Sequence, residues 1–206
     1  MYRKFGKRLL DIVLSVFALV VLSPVFLALI LAIRLDSPGP VLFRQKRVGI
    51  HKTYFRILKF RTMRIDTPSD TPTHLLAHPQ QWITRVGAFL RRTSLDELPQ
   101  LINILKGEMS FIGPRPALWN QEDLVRERDQ YGANDLVPGL SGWAQINGRD
   151  ELPISVKAAL DGEYAQKISF SFDVKCLFGT LRAVLHRDGV VEGGTGALEK
   201  QQLPKS

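Results

Sequence analysis

A single cysteine, Cys176, among 206 residues excludes an intramolecular disulfide and any cysteine-based zinc site, and a reducing compartment is the natural setting for such a chain. The four histidines, His51, His74, His78 and His186, match neither HExxH nor a finger spacing, so a zinc enzyme is not expected. GxxxxGK[ST], GxGxxG and GxSxG are all missing, which leaves P-loop, Rossmann and nucleophile-elbow chemistries without their usual phosphate cradle or serine. No internal repeat occurs. With 45% hydrophobic and 23% charged residues the chain is neither disordered nor collagen-like, and its length rules out two large domains.

The net charge of +8 is regional. Residues 34 to 64 hold nine basic side chains (Arg34, Arg44, Lys46, Arg47, Lys52, Arg56, Lys59, Arg61 and Arg64) against one acid, Asp36, and the rest of the chain balances at 19 of each sign. Such a patch predicts an anionic partner: phosphate, a lipid head group or nucleic acid.

Ile12 to Ile33 is a run of 22 residues without a charge, enough in number to span a bilayer as one helix. Ser23-Pro24 stands at its middle, where proline removes a backbone hydrogen bond and breaks or kinks the helix. Each arm is then about 16 Å long, half of a hydrocarbon core of about 30 Å. Arg3, Lys4, Lys7 and Arg8 precede the run and the basic patch follows it, so the positive-inside rule draws both ends to the cytoplasm. A hairpin entering and leaving one leaflet satisfies both ends. A kinked single span and a signal peptide are the competing readings, the last opposed by Asp11, by the internal proline and by the lack of an A-x-A cleavage site.

Beyond the run, Val41 to Met63 reads as a short β-hairpin around Gly49, and residues 66 to 80, rich in Pro, Ser and Thr, as a loop. Residues 81 to 92 place Trp82, Val86, Phe89 and Leu90 on one helical face, a pattern that fits an interfacial helix and fits packing on a core equally well. LPQLINIL (98 to 105) is a short helix stopped by Lys106-Gly107. Residues 120 to 131 read as a solvated helix, 138 to 143 as a turn-rich connection, 172 to 187 as a membrane-surface helix, and 189 to 206 as a frayed tail.

The chemistry is expected in SLDELPQ, where Asp96 and Glu97 adjoin just before the short helix. A capping box from Ser94 to Glu97 is the structural alternative. Pro99 argues against it, because a helix starting at Ser94 would need the N–H that proline lacks, so the start is expected near Leu98 or Pro99. The two carboxylates then lie in the field of a helix N-terminus, which favours the ionised form that a nucleophile or Mg²⁺ ligand requires. FIGPRPA sets Arg115 between two prolines and WAQINGRD sets Arg149 after Asn147-Gly148. Each is either a surface arginine in a turn or a fork held towards a phosphate.

In this order, the basic N-terminus, the apolar run broken at Ser23-Pro24, KFRTM (59 to 63), SLDELPQ (94 to 100), FIGPRP (111 to 116) and GWAQINGR (142 to 149) resemble the monotopic phosphoglycosyl transferases, bacterial sugar transferases that begin surface-glycan assembly. The resemblance covers about residues 1 to 187 and corresponds to the minimal catalytic form. It implies transfer of a phosphosugar from a UDP-sugar to undecaprenyl or another polyprenol phosphate, with Mg²⁺. Asp96 maps to the nucleophile and Glu97 to proton or metal handling, the two together being the expected metal ligands. Lys59, Arg91, Arg115, Gln145 and Arg149 are the expected substrate and phosphate contacts, and Ser23 and Pro24 the membrane break.

The expected fold is α+β and mainly helical. Residues 1 to 36 form the re-entrant membrane hairpin, residues 37 to 187 a catalytic domain with a small β-hairpin and amphipathic interfacial helices around a cytosolic active site, and residues 188 to 206 a flexible tail. The expected location is the cytoplasmic face of the bacterial inner membrane. Partners beyond the substrates are downstream glycosyltransferases and a second copy of the chain, with no role for nucleic acid. Two other functions are weighed against this one: a transferase in which the lipid phosphate attacks directly, and a membrane-tethered anion-binding module without catalysis.

Overall fold

The computed structural model describes residues 2–67, 79–148 and 152–185. Within them the fold is α+β and mainly helical, as expected, with two small two-stranded sheets.

The apolar run forms two helices, α1 (Lys7–Val21) and α2 (Ser23–Asp36), bent by 62° at Leu22. Pro24 lies in the first turn of α2, where a missing N–H is tolerated. The carbonyl it would have served, that of Val20, accepts instead from Ser23 Oγ at 2.8 Å. The Ser-Pro pair therefore makes the bend and satisfies the group that the bend would orphan. Neither helix alone is long and apolar enough to cross a membrane; together they have the length and composition.

Both ends of this bent pair are fastened to the rest of the fold. Arg8 donates to the carbonyls of Ile104 and Leu105, and Asp11 Oδ1 accepts from Ser110 Oγ and from the Phe111 amide at 3.1 and 3.0 Å. Lys7 lies 2.6 Å from Asp173, which also accepts from the hydroxyls of Tyr2 and Tyr164. At the other end, Asp36 Oδ2 accepts from the Val86 amide, and Leu29 and Ile33 enter a core with Phe60 and Leu90. The outward faces keep large apolar side chains in solvent, among them Leu9, Phe17, Val20, Leu27 and Leu31.

The predicted hairpin is present: β1 (Leu42–Val48) pairs antiparallel with β2 (Tyr54–Phe60), Phe43 opposite Lys59. The helix expected over 81 to 92 starts later, at Arg85, because Thr84 Oγ1 caps it by accepting from the Gly87 amide at 2.9 Å. This helix, α3 (Arg85–Thr93), lies so close to the chain leaving β2 that a Cβ on Gly87 would fall 2.0 Å from the Thr62 carbonyl oxygen. Its stripe splits accordingly: Leu90 is fully buried in the core while Phe89 faces solvent.

A turn of 3₁₀ helix at Leu95–Glu97 leads into α4 (Gln100–Lys106), with Pro99 at its N-terminal boundary. Ser94, in the left-handed region at φ 56°, ends α3 and makes no side-chain cap, so the capping-box alternative does not form.

Two sequence expectations are corrected in the C-terminal half. Residues 138 to 143 are not merely a connection: β4 (Gly139–Ser141) pairs parallel with β3 (Ser110–Ile112). The approach is close enough that a Cβ on Gly139 would meet the Gly113 nitrogen at 2.1 Å, so these glycines are there to let backbones touch. The helix expected to be solvated, α5 (Glu122–Asp129), buries Leu124 and Arg128 against α7 (Ile154–Lys167). Its charged composition hid a buried ion pair between Arg128 and Asp161. The short helix α6 (Trp143–Ile146) follows β4, and α8 (Phe170–Leu185) buries Asp173 and Cys176 on one face while exposing Leu177, Phe178 and Leu181 on the other.

Candidate active site

The site is assembled from β2, the 3₁₀ turn after α3, and the turn after β3. Lys59, on β2, places Nζ 2.9 Å from Glu97 Oε1 and 3.5 Å from Asp96 Oδ2. Arg115, from the GPRP turn, reaches the same Glu97 Oε1 at 3.0 Å. Asp96 is buried, at 5% exposure, and the Glu97 side chain is largely so. Burial pushes the Glu97 carboxyl up, but Lys59 and Arg115 outweigh it and hold that carboxyl well below the usual carboxylate range. Two flanking cations thus keep Glu97 ionised.

What fixes these groups is the packing beneath them. Asn103, fully buried on α4, accepts from the Leu58 amide and donates to the Arg56 carbonyl, each at 2.9 Å, and to Glu108 Oε2 at 2.7 Å. It therefore locks the strand that carries Lys59 to the helix that follows Asp96 and Glu97. Sequence reasoning passed over it, although a polar residue inside the apolar stripe of LINIL was a signal. On the other side, Ile57, Leu101, Ile104 and Met109 form one core, against which Ala18 and Leu19 of α1 and Phe26 of α2 pack.

Of the expected contacts, Lys59, Asp96, Glu97 and Arg115 come together. Arg91, in the last turn of α3, donates from Nε to Thr62 Oγ1 at 2.8 Å and so joins KFRTM to the chain entering the site. Gln145 lies on α6 with both atoms of its side-chain amide buried and without a hydrogen-bond partner. Gln100, which the sequence reading did not single out, likewise has a buried, unpartnered Nε2, one helical turn beyond Asp96. Arg149, most of the 66 to 80 loop and the tail lie outside the described residues.

The basic stretch is not one surface. Arg61 is buried and donates to the carbonyls of Ser37 and Pro38, Arg47 to that of Pro116, and Lys52 pairs with Asp129. Six of the nine basic side chains are exposed: Arg34, Arg44, Lys46, Lys52, Arg56 and Arg64. The other three, Arg47, Lys59 and Arg61, are taken up in internal hydrogen bonds and ion pairs. Cys176 offers no alternative nucleophile: it is fully buried, and burial pushes its thiol up to about 12.

A buried aspartate, an ionised glutamate and two cations thus converge at one place in the fold. The family model described as bacterial sugar transferase matches residues 2–187. The chain belongs to that family. This bacterial sugar transferase is 42% identical over 182 residues to the UDP-glucose:undecaprenyl-phosphate glucose-1-phosphate transferase of Escherichia coli K12, covering 85% of this chain and 39% of the relative. It is 40% identical over 193 residues to the exopolysaccharide production protein PSS of Rhizobium leguminosarum, covering 88% of this chain and 96% of the relative. With the UDP-N-acetylgalactosamine-undecaprenyl-phosphate N-acetylgalactosaminephosphotransferase of Aeromonas hydrophila it shares 39% identity over 189 residues, 88% of this chain and 44% of the relative. Relatives named for different sugars are equally similar, so overall likeness does not select the sugar.

Proposed function

We propose that the chain transfers a phosphosugar from a UDP-sugar to undecaprenyl phosphate in two steps through Asp96, as the first membrane step of surface-glycan assembly. An Asp96 carboxylate oxygen attacks the phosphorus that bears the sugar, and the bond from that phosphorus to the bridging oxygen breaks. UMP leaves with the electron pair, and an acyl phosphate carrying the sugar remains on Asp96. A phosphate oxygen of the lipid then attacks the same phosphorus, the bond to Asp96 breaks, and the carboxylate is restored with a polyprenyl diphosphate sugar as product.

The observation that carries this reading is the shared clamp in which one ammonium, Lys59, is within 3.5 Å of both carboxylates while Arg115 holds the second. Lys59 and Arg115 neutralise charge on the diphosphate as well as on Glu97, and Gln145 supplies unused donors and acceptors for the substrate. Arg91, on α3, is a further phosphate contact in this reading, and Arg149 is given the same role on the sequence alone. Asp96 and Glu97 suit Mg²⁺, which takes one or two carboxylates and completes its shell with water and substrate phosphates. When bound there, the ion would polarise the diphosphate and stabilise the leaving UMP. The test is release of UMP from a panel of UDP-sugars with Mg²⁺ and undecaprenyl phosphate, and from the same sugars without lipid. A stoichiometric burst of UMP in the lipid-free arm marks the covalent route, and its absence alongside full turnover with lipid marks direct attack.

The bent pair α1 and α2 is the membrane element, entering and leaving the cytoplasmic leaflet and keeping the site at the head-group level. Support comes from its two ends, which dock on the same globular unit through Arg8, Asp11 and Asp36. Arg3→Cys and Arg44→Cys, each in a Cys176→Ser background, are therefore expected to be labelled from the same, cytoplasmic side of inner-membrane vesicles. Replacing Ser23 and Pro24 with Leu and Ala restores a continuous helix and is expected to move part of the N-terminus across. Opposite-side labelling of the two ends without that replacement would establish a kinked span.

A further inference from the structure

Lys59 rides on a strand and Arg91 on a helix, but Arg115 is carried by the turn between β3 and α5. That turn is held at four consecutive carbonyls, each by a donor from elsewhere. Pro114 O accepts from the Gly139 amide at 2.9 Å, Arg115 O from Arg128 Nη2 at 3.0 Å, Pro116 O from Arg47 Nη1 at 3.1 Å, and Ala117 O from the Val48 amide at 3.0 Å. The bond to Arg115's own carbonyl has the most elaborate origin. Arg128 on α5 is 4% exposed and its partner Asp161 on α7 is 1% exposed. The guanidinium meets Asp161 Oδ2 through Nη2 at 2.6 Å and Nε at 2.8 Å, and the same Nη2 serves the Arg115 carbonyl.

A buried ion pair is a poor source of stability, because the loss of hydration largely cancels the attraction. Burial pushes the Asp161 carboxyl up even against Arg128 and Lys157. What this pair does that two apolar side chains could not is present a fixed N–H to the backbone of Arg115. The planar fork is required, since a lysine ammonium in its place cannot reach both the carboxylate and the carbonyl with the same geometry.

We propose that the Arg128–Asp161 pair is a positioning unit that orients Arg115 towards Glu97, so that the phosphate contact made by Arg115 depends on a salt bridge between α5 and α7. The proposal rests on Arg115 acting on the substrate, as put forward above. Arg128 and Asp161 themselves are positioning residues.

The test compares wild type, Arg128→Lys, Arg115→Ala and the double variant by steady-state UMP release, together with thermal melting and hydrogen exchange at the amides of Gly113, Arg115 and Ala117, the non-proline positions of residues 113 to 117. Arg128→Lys keeps a charge opposite Asp161 and is expected to lower kcat/KM on the order of 10- to 100-fold, as a small misplacement of a substrate-binding group does. In the Arg115→Ala background the same change is expected to cost less than about 2-fold, because its route of action is already gone. Losses that multiply in the double variant would overturn the proposal. A second variant, Arg128→Met with Asp161→Leu, removes both members of the pair instead of one and is expected to melt closer to wild type than Arg128→Met alone. It is nevertheless expected to show faster exchange at 113 to 117 and the same loss of kcat/KM. Wild-type exchange in that folded variant, or wild-type activity, would also overturn the proposal. Exchange is read without substrate, so a chain that turned over no UDP-sugar would refute the proposed function and leave the positioning result standing.

Discussion

An Asp96→Asn enzyme is expected to release no UMP from any UDP-sugar, with or without lipid, while melting and extracting from membranes like wild type. The amide has the shape of the carboxylate and fills the same buried position, so the packing around the 3₁₀ turn is kept. What it lacks is an anionic oxygen able to form the acyl phosphate. Loss of one negative charge beside Lys59 is tolerable for the fold because Glu97 Oε1, at 2.9 Å, remains as the closer partner of that ammonium. Wild type incubated with UDP-sugar alone and quenched is expected to carry the phosphosugar mass on the peptide containing Asp96. An active Asp96→Asn enzyme removes the two-step mechanism, and an adduct on another residue moves the nucleophile.

Removal of either cation at Glu97 is expected to be nearly as damaging. Arg115→Ala and Lys59→Met should each lower kcat/KM by about 10- to 1000-fold, the range for charge-assisted hydrogen bonds and preorganised electrostatics. A second signature separates these variants from simple loss of binding. In wild type Glu97 is held below the usual carboxylate range, so it is ionised throughout neutral and mildly acidic pH. With Lys59 gone, burial faces Arg115 alone and the Glu97 pKa rises, so the acid limb of the activity profile is expected to move to higher pH. The sign for stability follows from linkage. A depressed folded-state pKa contributes stability above the unfolded value of about 4.3 and loses it as pH falls towards the folded value. Lys59→Met has less of this contribution, and its denaturant midpoint is expected to fall less steeply than wild type on acidification. An unchanged acid limb and an unchanged midpoint slope would mean that Lys59 does not set the Glu97 charge.

The parts of this molecule that were legible in the sequence are those whose cause is local. Ser23-Pro24 announces the bend because proline removes a donor wherever it stands, and the β1–β2 hairpin follows from two β-rich runs around one glycine. Pro99 locates the start of α4 for the same kind of reason. Lys59 and Arg115 are expected at the site as substrate contacts, but nothing local announces that both pair with Glu97. The expected field of a helix end is not what dominates at Glu97; Lys59, 38 residues earlier, and Arg115, 18 residues later, do that. The parallel contact of β3 and β4 was hidden because three residues per strand leave no period to detect, and its signature is only glycines meeting across the chain. Arg128 was misread for a related reason: in a helix of mostly charged residues, nothing local marks the one guanidinium that is buried. Its partner lies 33 residues away on α7.

The fastening of α1 has a consequence for the order in which the protein is made. The partners of Arg8 and Asp11, at Ile104, Leu105, Ser110 and Phe111, are synthesised 96 to 100 residues after them, and Asp173, the partner of Lys7, 166 residues after it. At roughly 5 to 20 residues per second, that is an interval on the order of 5 to 30 seconds. Throughout it Lys7, Arg8 and Asp11, three and four residues apart on one helix, have only each other and water as partners. The bend itself needs only neighbours, Ser23 and Val20, so it can form long before the unit that holds its ends is complete, and the late closure of these bonds fixes the base of the bent pair.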